Sequence, residues 1–105
     1  MTEKWYKKSL AINEKLGNEH GAASTCGQMG LLEVGRKRFV EAGGWLIKSI
    51  ERFGKARDEE GVRKGIGNFL GVYKAAPGED KKRLKAMFAE AGLGDIDGTR
   101  PGGPG

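Results

Sequence analysis

The residues most able to carry chemistry in this 105-residue chain are its one cysteine, Cys26, and its one histidine, His20. Cys26 falls on the predicted buried face of a helix and has no cationic neighbour in sequence that would activate the thiol, so we interpret it as a packing residue. His20 has no Cys, His or carboxylate partner at metal-ligand spacing, and we interpret it as a surface residue beside a helix start. Neither residue indicates a catalytic or metal site.

Acidic clusters and glycine-rich segments also lack a catalytic pattern. The acidic residues at 58–60 and 79–80 lie at predicted helix N-termini, where negative side chains favour the helix dipole. The glycines at 65–67 and 92–94 follow no strand and lack the lysine and hydroxyl of a phosphate-binding loop. No triad or nucleophile elbow is present in the sequence. We therefore expect a non-catalytic protein without a cofactor or a metal.

The strongest pattern in the sequence is a repeat. The run Trp5-Tyr6-Lys7-Lys8-Ser9-Leu10 returns 40 residues later as Trp45-Leu46-Ile47-Lys48-Ser49-Ile50, with tryptophan, lysine and serine in register. The same offset relates Gly21 to Gly61 and Gly27 to Gly67. A fixed period in the range of about 20–50 residues is typical of helical and other repeat proteins.

Apolar residues spaced three or four apart predict five helices, at about 3–16, 19–35, 39–56, 59–75 and 79–91. Asn18 and Asp58 are predicted N-caps, Gly17 suits a helix C-terminus, and Pro77 ends the fourth helix. No segment alternates as a strand does. We therefore predict an all-α domain over residues 1–97, built of antiparallel helix-turn-helix repeats stacked as a short right-handed solenoid. A disordered Gly/Pro tail is predicted at 98–105.

Composition adds three expectations. The net charge of +5 permits an acidic protein or a nucleic acid as a partner without requiring either. A single cysteine and the lack of an apolar run of about 20 residues favour a cytoplasmic protein that does not enter a membrane. Many of the 19 glycines lie in predicted helices. Each interior glycine costs about 0.8–1 kcal/mol relative to alanine, so we expect marginal stability.

Residues 3–75 resemble the tetratricopeptide repeat family, in its longer form of about 40 residues per repeat. Residues 5–18 are similar to the second helix of such a repeat and its turn. Met29-Gly30 matches a large-then-small pair in the first helix, and Phe39 and Ala42 match the aromatic residue and alanine that open the second helix. The resemblance implies that the first helices of successive repeats line a concave groove. The groove residues it implies are Ser24, Gln28, Leu31 and Val34, with Lys64, Asn68, Gly71 and Lys74 opposite.

The functional prediction is a scaffold for protein–protein interaction. The groove would bind a peptide or a partner domain, and Lys64 and Lys74 would suit an acidic one. One alternative is RNA binding through the basic clusters at 36–38 and 81–85. Another is self-association as a homo-oligomer through Trp5, Leu10 and Ile12, which the first helix would leave without a partner helix.

Overall fold

The computed structural model describes residues 2–97, and Met1 and the predicted tail at 98–105 lie outside the described residues. The described part contains no strand and five helices: α1 Thr2–Lys15, α2 Glu19–Gly35, α3 Phe39–Lys55, α4 Glu59–Ala75 and α5 Gly78–Glu90. The all-α prediction is confirmed. The helix bounds differ from the predicted ones by no more than one residue.

The connections between helices explain these bounds. The side chains of Asn18 and Asp58 accept hydrogen bonds from the backbone N–H groups of Gly21 and Gly61, at 3.0 Å and 2.9 Å, and so cap α2 and α4. The first three connections each contain one residue with left-handed backbone, at Gly17, Lys37 and Arg57, with φ of 69°, 60° and 58°. Lys37 and Arg57 adopt this conformation at a cost of roughly 1–2 kcal/mol each, because they have a Cβ and Gly17 does not.

Each of the first three helices packs antiparallel to the helix that follows it. At the α1–α2 interface, Glu3 near the start of α1 bonds Arg36, which follows α2. At the α2–α3 interface, the Ser49 hydroxyl donates to the carbonyl oxygen of Ala23 at 2.8 Å. At the α3–α4 interface, Phe53 lies over Gly61. The α5 helix returns to pack against α3 and α4.

The core is continuous from α3 to the segment after α5. Its members are Ala42, Leu46, Phe69, Val72, Ala76, Leu84, Phe88 and Ile96. The rings of Phe69 and Phe88 are 5.2 Å apart between centroids, which places α5 directly against α4. Gly43 of α3 lets α5 approach α3 as well, because a Cβ at this position would lie 2.4 Å from Cδ2 of Leu84.

A polar cluster holds the segment after α5 in place. Asp97 accepts hydrogen bonds from the Tyr73 hydroxyl and from the Lys85 ammonium, both at 2.7 Å. These bonds, that of Lys85 first, hold the pKa of Asp97 below its ordinary value. Ile96 beside it is buried in the core. The segment is therefore attached by both apolar contact and charge.

Candidate protein-binding groove

A groove lies between α2 and α4, with α3 as its floor. The two helices begin with the same kind of cap 40 residues apart, so equivalent side chains of the repeat lie on both sides. Glycines let α4 approach α3 closely: a Cβ at Gly65 would lie 2.6 Å from Cγ1 of Ile50, and one at Gly61 would lie 2.4 Å from Cδ1 of Phe53. In the sequence, the glycines at 61 and 65 indicate only a low helix propensity. In the structure, they are the positions at which α4 contacts α3.

The groove encloses a cavity of about 240 Å³. It is lined by Ser24, Gly27, Gln28 and Leu31 of α2, Ser49 and Phe53 of α3, and Gly61, Lys64, Gly65 and Asn68 of α4. Leu31 is 53% exposed, which makes it one of the few large apolar side chains that face solvent. The hydroxyl and amide groups of the lining can both donate and accept hydrogen bonds, and Lys64 adds one positive charge. This arrangement can hold a polypeptide segment by backbone hydrogen bonds, one apolar contact and one ion pair.

The structure brings together five of the eight residues that we named for the binding groove: Ser24, Gln28, Leu31, Lys64 and Asn68. Gly71 is exposed on α4 and does not line this cavity. Val34 does not line this cavity and instead packs, half-buried, against the core. Lys74 is exposed near the end of α4, where its carbonyl oxygen accepts a hydrogen bond from Lys81.

Sequence reasoning missed the floor of the groove, which consists of Ser49 and Phe53. Both lie on α3, which the resemblance assigns to the outer layer of helices. The signal was available in the glycines at 61 and 65, because two glycines four residues apart on one helix face admit a neighbouring helix that carries larger side chains.

The residues predicted for self-association lie on two different sides of α1. Trp5 and Ile12 are 70% and 58% exposed, and Leu16, which sequence reasoning did not include, is 75% exposed. Leu10 is half-buried and lines a cleft together with Cys26 and Trp45. The exposed apolar face of α1 therefore contains Leu16 in place of Leu10.

Cys26 is fully buried at the bottom of that cleft. Burial raises the pKa of its thiol, and this effect exceeds the opposing influence of Arg52 and Lys48, two cationic neighbours that sequence adjacency does not reveal. His20 is exposed, with Nε2 3.6 Å from Asp58 and its ring edge-on to Phe53. Neither environment provides a nucleophile activated by charge.

The basic clusters are partly neutralised within the molecule. Arg36 donates hydrogen bonds to Glu3 at 2.8 Å and to Glu33 at 3.2 Å, and these bonds, that to Glu3 first, raise the pKa of its guanidinium. Lys85 bonds Asp97 and lies 3.8 Å from Asp95. These two side chains are therefore engaged, whereas RNA binding requires cations that can reach phosphates.

Residues 2–97 contain no cluster of three or more His, Cys, Asp or Glu side chains arranged to hold a metal ion. In the same residues, the helices are too short or too polar to span a bilayer.

No family model, no curated protein and no solved structure matches this chain.

Proposed function

We propose that this chain is a non-catalytic scaffold that binds a peptide or an extended segment of a partner protein along the groove between α2 and α4. The observation that supports the proposal most is the convergence of Ser24, Gln28, Leu31, Lys64 and Asn68, from two helices, on one open cavity. Their chemistry matches a polypeptide: amide groups for its backbone, Leu31 for an apolar side chain, and Lys64 for a carboxylate.

The proposal includes membership of the tetratricopeptide repeat family and a cytoplasmic location. The 40-residue period and the antiparallel hairpins support the family membership. Cys26, a free thiol, supports the cytoplasmic location, since cysteines in reducing compartments remain unpaired. RNA binding and self-association stay predictions from the sequence.

Peptide selection followed by groove substitutions tests the proposal. Peptides would be selected from a displayed random library with the chain as bait, and their affinities measured by calorimetric titration. We expect Leu31→Asp and Lys64→Glu each to weaken binding about tenfold or more, because each removes a central contact of the groove. Both side chains are exposed, so the fold should be retained.

The matched control is Lys82→Glu, which makes the same charge change at an exposed position on α5. It should leave affinity within about twofold of the wild type, because it acts only through the screened long-range field. Failure to select any peptide, or equal losses for Lys64→Glu and Lys82→Glu, would exclude the groove as the binding site.

A further inference from the structure

The outer side of α1 carries an apolar surface that no other described helix covers. We call it the α1 face and define it by Trp5 and Ile12, together with Leu16 directly after the helix. These three side chains are more than half exposed, at 70% for Trp5, 58% for Ile12 and 75% for Leu16. A depression of about 300 Å³ lies between Trp5, Lys8, Ser9, Ile12 and Asn13. A surface of this kind commonly marks an interaction site.

The second copy of the repeat shows what fits such a surface. On α3, the equivalents of Trp5 and Ile12 are Trp45 and Arg52. Trp45 lines a cleft together with Leu10 of α1, and Arg52 pairs with Glu14 of α1. The surface of α3 thus meets a leucine and a glutamate of a neighbouring helix, and no helix among residues 2–97 supplies such side chains to Trp5 and Ile12.

The charges around the α1 face are of one sign. Lys4, Lys8 and Lys15 are exposed, and no carboxylate among residues 2–97 forms an ion pair with them. The two acidic residues of α1 are directed elsewhere: Glu3 pairs with Arg36 and Lys7, and Glu14 pairs with Arg52 of α3. The edge of the α1 face is therefore basic.

From these observations we infer that the α1 face binds a helix of a separate protein partner, with a leucine at the contact and acidic residues along its edge. The leucine follows from the equivalent surface of α3, where Leu10 of α1 lines a cleft with Trp45. The acidic edge follows from the free lysines. A second copy of the chain, joined through the same face, would place Lys4, Lys8 and Lys15 against their own equivalents, which is unfavourable.

The test uses the whole chain with Trp45→Phe, so that Trp5 is the one fluorescent tryptophan. The probe is an alanine-rich synthetic helix of about 20 residues, long enough to be helical alone, with glutamates along both edges of an Ala/Leu stripe. The control probe has lysines in place of the glutamates. We expect the acidic probe to bind with a blue shift of Trp5 emission, and the basic probe to bind about tenfold or more weakly.

Two variants make the test specific to the α1 face. Combined Lys4→Glu, Lys8→Glu and Lys15→Glu should reverse the preference, so that the basic probe binds better. Ile12→Arg introduces the residue that α3 has at the equivalent position, and it should abolish the blue shift while circular dichroism stays unchanged. Lys55→Glu, the equivalent of Lys15 on α3, serves as the control and should change affinity less than about twofold.

Three results would overturn the inference. The first is equal affinity for the two probes, or none for either. The second is a blue shift with anionic phospholipid vesicles but not with the acidic probe, which would assign the face to a membrane surface. The third is a dimer of the wild-type chain by light scattering that Ile12→Arg converts to a monomer, which would assign the face to self-association.

Discussion

The two copies of the 40-residue repeat begin with helices that share a tryptophan, two lysines and a serine in register, yet only one of these helices enters the core. Helix α3 buries Ala42, Gly43, Leu46, Ser49 and Ile50, whereas α1 has no buried residue. The difference arises from the neighbours, because α3 lies between α2 and α4 and α1 has only α2 as a major contact. An apolar pattern thus stabilises a repeat protein only where helices cover it.

The largest expected effect comes from truncating the same repeat position in both copies. Leu46 is fully buried and lies against Gly30, and Leu46→Ala should lower the free energy of unfolding by about 2–5 kcal/mol. Its equivalent Tyr6 is only partly buried, so Tyr6→Ala should cost less than half as much. Urea denaturation followed by circular dichroism measures both. Similar losses at the two positions would mean that α1 contributes to the core as fully as α3.

A smaller effect, of opposite sign, is expected at a pair of equivalent glycines. A Cβ at Gly67 would meet no atom within 4 Å, so Gly67→Ala should raise the free energy of unfolding by about 0.4–1 kcal/mol. A Cβ at Gly27 would lie 3.3 Å from the Ser49 hydroxyl, which bonds Ala23. Gly27→Ala should therefore raise the free energy of unfolding by less than Gly67→Ala does, or lower it. Thermal melts of the two variants, run side by side, test whether the first copy is the more tightly packed.

The smallest effect concerns the ion pair that attaches α1. The hydrogen bond from Arg36, followed by that from Lys7, holds the pKa of Glu3 below its ordinary value of 4.5. A carboxylate with a lowered pKa in the folded protein contributes stability above its ordinary pKa, and this contribution disappears as the pH falls through the lowered value. In thermal melts at about pH 6, the wild-type protein should therefore have a higher melting temperature than the Glu3→Gln variant. At about pH 3 the two melting temperatures should converge.

Two controls accompany this comparison. Glu90→Gln removes an exposed carboxylate that has no ion pair among residues 2–97, and it should not alter the pH dependence. If Glu3→Gln kept its full deficit at the lower pH, the loss would come from packing at the start of α1 rather than from the ion pair.

The helix bounds were predictable because their signals are local. Asn18 and Asp58 cap the helices that follow them, and Gly17 supplies a left-handed backbone residue, all within a few positions of the boundary. The left-handed residues Lys37 and Arg57 were not predictable, because their type favours other conformations and only the hairpin geometry requires this one.

Prediction was less complete for surfaces that depend on how helices are rotated against each other. Helical periodicity places Leu10 and Leu16 on α1 but does not say which side α3 approaches. The contact of Arg52 with Glu14 settles the orientation, and these residues are 38 apart in sequence. Five residues that the resemblance implies for the groove line one cavity between α2 and α4. Val34, near the end of α2, packs against the core instead.

Most contacts in this fold join helices that are adjacent in the sequence, and this has a kinetic consequence. Contacts of short sequence separation form quickly, so the chain should fold fast for its size. They also break in separate groups, since a terminal helix can open without disturbing the next interface. The α2–α3–α4 unit can therefore stay folded while α1 detaches and returns. The groove and the α1 face would then have different lifetimes, and a partner of one would not depend on the other.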